Sequence, residues 1–165
     1  MHGMSLQVII AGAVSMAAVL TWLAWKPLRV RRRAAEVKLA CQLFRLQREQ
    51  LEAKFFDLAA GLGKPRGVRW RDCDWQNAVT FARDINTGML TAFVAVNIHF
   101  EPVEGGDMED VEAVGVVRDA AAVFHYSKKR WGTGGRALFN MNPEDALIRL
   151  QEQFEPVSIE ASTSM

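Results

Sequence analysis

Residues 6–25 form a run of 20 amino acids without a charged side chain, and five of the next eight are Lys26, Arg29, Arg31, Arg32 and Arg33. Wound as a helix at about 1.5 Å per residue, the run reaches roughly 30 Å, the hydrocarbon thickness of a bilayer. The sequence therefore predicts a transmembrane anchor, carried by Leu6, Val8, Ile9, Ile10, Val14, Leu20, Trp22, Leu23 and Trp25, with a basic stop behind it. Residues 1–6 contain no Lys or Arg, and a basic flank stays cytoplasmic, so the N-terminus is expected outside and the body in the cytoplasm. A cleaved secretory signal would carry positive charge before the apolar run and small residues at its end, whereas this run closes with Trp22-Leu23-Ala24-Trp25 and then charge. An uncleaved signal-anchor is the expectation.

Trp22 and Trp25 fall at headgroup depth, where indole rings set the depth of an anchor and nearby arginines can meet anionic lipid. Ala11, Ser15 and Ala18 recur at helical spacing and would allow a second membrane helix to approach, although no complete GxxxG pattern is present. The anchor is read as residues 1–27, followed by a juxtamembrane helix at 28–63, a small α+β domain at 64–155 and a flexible tail at 156–165.

Pro27 is expected to kink or interrupt the helix before an amphipathic pattern resumes. Val30, Val37, Phe44, Leu51 and Leu58 recur every seven residues, and Ala34, Cys41, Phe55 and Leu62 follow four later, with Arg48 breaking that second row. A seven-residue seam can specify a coiled coil. Leu39, Leu43, Leu46 and Phe56 widen the stripe, which suits a helix packed on its own sheet. Gly61, Gly63 and Pro65 supply the stop.

Beyond that point the hydrophobic period becomes two, the mark of antiparallel strands. Residues 79–83 and 90–101 flank Asp84-Ile85-Asn86-Thr87-Gly88 as a hairpin. Along the second strand Leu90, Ala92, Val94, Val96, Ile98 and Phe100 share one apolar face, and Thr91, Phe93, Ala95, Asn97 and His99 the other. Strands at 120–126 and 131–139 make another pair, and a short strand is expected around 68–72, so the sheet should have four or five strands. Asn142-Pro143-Glu144-Asp145 has the chemistry of a helix start, and Leu147, Leu150 and Phe154 read as the buried stripe of a last helix covering the sheet.

The net charge of +1 conceals basic residues at the membrane flank and 64–71 and an acidic stretch at 101–112, a balance that argues against a dedicated nucleic-acid binder. Cys41 and Cys73 lack metal-ligand spacing and read as packing residues kept reduced in a cytoplasmic body. Glu101, Glu104, Asp107, Glu109, Asp110 and Glu112 surround Gly105-Gly106. Their order does not match a calcium loop, leaving a solvated connection or an acidic docking loop for a basic partner. His99 and His125 stand on expected strands, where they could pair across the sheet with Asp119 orienting one of them. Trp131-Gly132-Thr133-Gly134-Gly135 lacks the Lys-Ser/Thr and the helix of a phosphate loop, so its glycines mark a bulge or a close backbone approach. Arg66, Arg69, Trp70, Arg71 and Trp75 interleave basic and aromatic groups, a pattern assigned to Arg stacking on Trp within the fold in preference to nucleic acid.

The expectation is an α+β protein with an N-terminal transmembrane helix, a long juxtamembrane helix and a four- to five-stranded antiparallel sheet with a C-terminal helix. It should act as a binding or scaffolding module without catalytic activity, cofactor or small-molecule ligand, its partners being the bilayer and another protein or a second copy of itself. The rivals are a membrane-anchored enzyme or ligand- or metal-binding domain using His99, His125 and the acidic loop, and an accessory subunit of a larger membrane complex held through Ala11, Ser15 and Ala18.

Overall fold

The computed structural model describes residues 3–62, 67–106 and 116–157, with only the backbone described at 3–15, 17–29 and 62. Its elements in order are helix α1 (Gly3–Leu62), strands β1 (Val68–Asp84), β2 (Leu90–Pro102), β3 (Arg118–Ser127) and β4 (Arg130–Phe139), helix α2 (Pro143–Arg149) and strand β5 (Phe154–Pro156). This is an α+β architecture built on a five-stranded antiparallel sheet in the order β4-β3-β2-β1-β5.

The chain divides into two compact units, Met1–Leu39 and Ala40–Met165. In the first, the backbone is helical from Gly3 onward, and Arg31, Arg32 and Arg33 are exposed. The anchor side chains Leu6, Val8, Ile9, Ile10, Val14, Leu20, Trp22, Leu23 and Trp25 lie outside the described residues, as do those of Lys26, Arg29, Ala11, Ser15 and Ala18. Among the described residues no helix is long and apolar enough to cross a membrane. Of the kink or interruption expected at Pro27, the interruption does not occur, since α1 continues through it. A proline removes one backbone donor, and the hydrogen bonds on either side can carry the helix past that gap.

In the second unit, α1 lies on one face of the sheet. Phe44, Leu51, Phe55 and Ala59 are buried there at spacings of seven, four and four, which keeps them on one side of a 3.6-residue helix. Phe44 meets Phe81, Phe124 and Trp131 edge-on at ring separations of 5.6, 5.6 and 5.0 Å, while Phe55 meets Trp75 at 5.4 Å and Phe124 at 5.8 Å. The Trp131 indole N–H donates to the Ala40 carbonyl at 2.7 Å, satisfying a polar atom that burial would otherwise strand. Of the two fates open to the heptad seam, Phe44 and Leu51 thus take packing on their own sheet. Arg48, which broke the second row, pairs with Glu52 and donates to the Gln76 carbonyl.

The sheet is curled. Strands β1 and β4 stand three positions apart, which in a flat sheet means about 14 Å at roughly 4.8 Å per step. Yet the rings of Trp70 on β1 and Phe139 on β4 are only 6.3 Å apart, with Phe100 of β2 touching both at 5.3 and 6.2 Å. Strand β4 also comes very near the helix: a Cβ placed on Gly135 would stand 2.7 Å from the Ala59 nitrogen. That accounts for a glycine-rich strand, as the sequence anticipated.

Four sequence expectations need correcting. The short strand at 68–72 and the strand at 79–83 are one continuous β1, whose pairing with β2 shifts between Trp70 and Asp72 and again between Trp75 and Val79. The extra residues of these bulges scrambled the period-two signal. The last helix stops at Arg149, and Phe154 belongs to β5, where Glu155 pairs with Arg83. Pro156, expected in the tail, pairs with Ala82. Finally, β2 is buried on both faces over its first half, because Ala146 of α2 and Phe154 cover Phe93 and its neighbours Ala82, Ala121 and Val123.

Candidate functional site

The β1–β2 register places His99 opposite Asp72, and its Nε2 lies 2.8 Å from the Asp74 carboxylate, itself two residues along β1. His125 pairs instead with Thr91, its Nδ1 lying 3.3 Å from that buried hydroxyl. Eight residues of β2 therefore separate the two imidazoles, about 27 Å at strand rise. They do not meet in one site. Burial and the Arg136 guanidinium push the His125 ring below its ordinary range, against a weaker pull from Asp84. Asp119, considered as a partner for a histidine, stands opposite Asn97 on β2.

The acidic loop is only partly described. Glu101 pairs with Arg69 across β1 and β2 at 2.5 Å, and Glu104 is exposed in the following turn. Asp107, Glu109, Asp110 and Glu112 lie outside the described residues, among which no group of His, Cys, Asp or Glu is placed to hold a metal ion. Neither cysteine is activated. Burial raises the Cys41 thiol, and burial with the flanking carboxylates of Asp72 and Asp74 raises Cys73 to about 12, the reverse of the electropositive setting a reactive thiolate requires. Trp70 and Trp75, read from sequence as platforms for arginine, turn their rings to Phe55 at 6.3 and 5.4 Å.

The candidate site that the fold does assemble is a cleft of about 380 Å³ where the middle of β2 and the start of β3 meet the β4–α2 connection. Asn97 and Asp119 come from the strands, and Asn140, Asn142 and Asp145 from the connection and the start of α2. Asn140 adopts a left-handed φ of 57°, a conformation asparagine tolerates, and its N–H donates to the Asp119 carbonyl at 2.8 Å. Asn142 is committed locally: its Oδ1 accepts the Asp145 N–H at 2.8 Å and caps α2. The cleft offers amides and carboxylates for hydrogen bonding and brings no nucleophilic side chain or imidazole beside them. Its amides and carboxylates can hold a polar group by hydrogen bonding. A second groove, of about 340 Å³, runs beside Glu52 and Asp57 of α1 and Arg71 and Cys73 of β1.

No protein-family model, curated protein or solved structure matches the chain. Sequence reasoning missed the cleft because its residues come from three separate segments. Only Asn140-Met141-Asn142-Pro143, dense in turn and cap residues, hinted that the chain would bend sharply there.

Proposed function

We propose that this chain is a single-pass, membrane-anchored binding or scaffolding protein, with its N-terminus outside, its α+β domain in the cytoplasm and no catalytic activity of its own. The observation that carries this reading is the uncharged run at residues 6–25 with its immediate basic flank. Two further features support it: the backbone of that run belongs to a continuous helix, and Trp75, Phe81, Phe124 and Trp131 of the body are spent on packing against α1. The test is fractionation of cells expressing the full chain with a C-terminal tag. The protein should remain in the membrane pellet through alkaline carbonate and leave it only in detergent, and protease added outside intact cells should spare the tag. Recovery in the carbonate supernatant would overturn the anchor, and loss of the tag would overturn the orientation.

A further inference from the structure

In a heptad frame that places Leu46 at d, the sheet takes Phe44 and Leu51 at b, Phe55 at f and Ala59 at c, the side of the helix opposite an a/d seam. Exposed on the other side are Gln50 at a and Leu46 and Ala53 at d, with Leu43 at a half-buried beside them. Leu46 is 82% exposed, the most exposed large apolar side chain among the described residues. In sequence, Leu39 takes the same d position one heptad earlier. We propose that this face is where two copies of the chain associate, side by side and parallel.

The charges select a second copy and its direction. Glu49 stands at g and Lys54 at e of the following heptad, the spacing at which g of one helix meets e of a parallel partner. Neither has an ion-pair partner among the described residues. Two copies set parallel bring Glu49 to Lys54 of the other copy twice, whereas an antiparallel pair opposes Glu49 with Glu49. Gln50, a polar residue at a, favours one register over slipped ones. The proposal rests on the anchor reading in one respect: two chains held in one bilayer are already parallel and concentrated, so a seam of about two heptads suffices.

The experiment uses the full chain in lipid vesicles, carrying Cys41→Ala and Cys73→Ala, with Leu46→Cys in one sample and Arg45→Cys in another. Oxidation should trap the Leu46→Cys chain as a disulfide dimer and leave Arg45→Cys monomeric. Glu49→Lys added to Leu46→Cys should reduce the dimer several-fold, and Lys54→Glu on top should restore it, a rescue that a folding defect would not give. Equal trapping at positions 45 and 46, or no response to the charge reversals, overturns the proposal. Vesicle flotation of the same samples judges the anchor separately: chains that fail to float refute the anchor, while the cross-linking still decides the seam.

Discussion

The two faces of the sheet are packed by different means. The face under α1 packs Phe44, Phe55, Phe81, Phe124 and Trp131 in continuous ring contact, whereas the face under α2 holds Ala82, Ala121 and Ala146 around Phe93 and Phe154. A large aromatic side chain removes roughly 150–250 Å² from water, several times what an alanine can, so the α1 face carries most of the burial energy. The α2 face is closed by a helix of seven residues and a strand of three, neither long enough to persist alone. The molecule thus has a firm side and a side that can open locally, and the polar cleft lies on the second.

The largest effect expected from this contrast is at Phe44. Its replacement by alanine leaves a void among three rings and should cost about 3–5 kcal/mol of stability, read by denaturant unfolding of the purified chain. Phe154→Ala should cost less, because α2 and β5 can settle into the space, and should accelerate hydrogen exchange in α2 and β5 before the rest of the sheet. Equal costs at the two positions would break the contrast. Gly135→Ala comes next, at about 1–3 kcal/mol: the added Cβ would press to 2.7 Å from Ala59 and 2.9 Å from Leu58 backbone atoms, at a φ of 71°. No effect there would mean that β4 and α1 are held less closely than these distances require.

The same contrast explains what could be read from sequence. On the firm side, strands β2, β3 and β4 were legible because strand-forming residues run between well-marked turns, even though β2 and β3 are too deeply buried to alternate cleanly. Even the β3–β4 turn fell where expected, although Lys128 and Lys129 hold left-handed φ values of 51° and 61° that nothing in their side chains announces. On the weaker side, Leu147, Leu150 and Phe154 have helical spacing, yet Leu150 already caps α2 and Phe154 leaves it to pair with Asp84. The free edge of β1 outweighs local propensity there, and a long-range pairing of that kind leaves no periodic trace. The cleft was hidden for a related reason, since it depends on the Asn97–Asp119 register and on where Asn140 turns.

A smaller effect should test whether α2 is held chiefly by its cap. Asn142→Ala removes the acceptor of the Asp145 N–H and should cost about 1 kcal/mol. In hydrogen exchange the loss should be confined to α2 and the turn after it. Spread of the faster exchange into β2 and β3 would show that the α2 face is coupled to the firm side, and the contrast between the faces would need to be withdrawn.

The smallest effect is a pH dependence at His125, which shares the α2 face of the sheet with Thr91 and lies near Arg136 and Asp84. Burial and Arg136 favour the neutral ring, so the folded value falls below the ordinary 6.5 of the unfolded chain. Between those two values the unfolded chain binds more protons than the folded one. Stability from this group is therefore full above pH 6.5 and declines as the pH drops toward the folded value. His125→Gln, which keeps a hydrogen-bonding side chain beside Thr91 but cannot titrate, should flatten that part of the profile while changing stability little at pH 8. A profile that retains its full slope in the variant would assign the acid sensitivity to the carboxylates. The first of them to examine would be Asp84, whose carboxylate is held below its ordinary range by the N–H groups of Thr87 and Asn86 and loses that stabilisation only at lower pH.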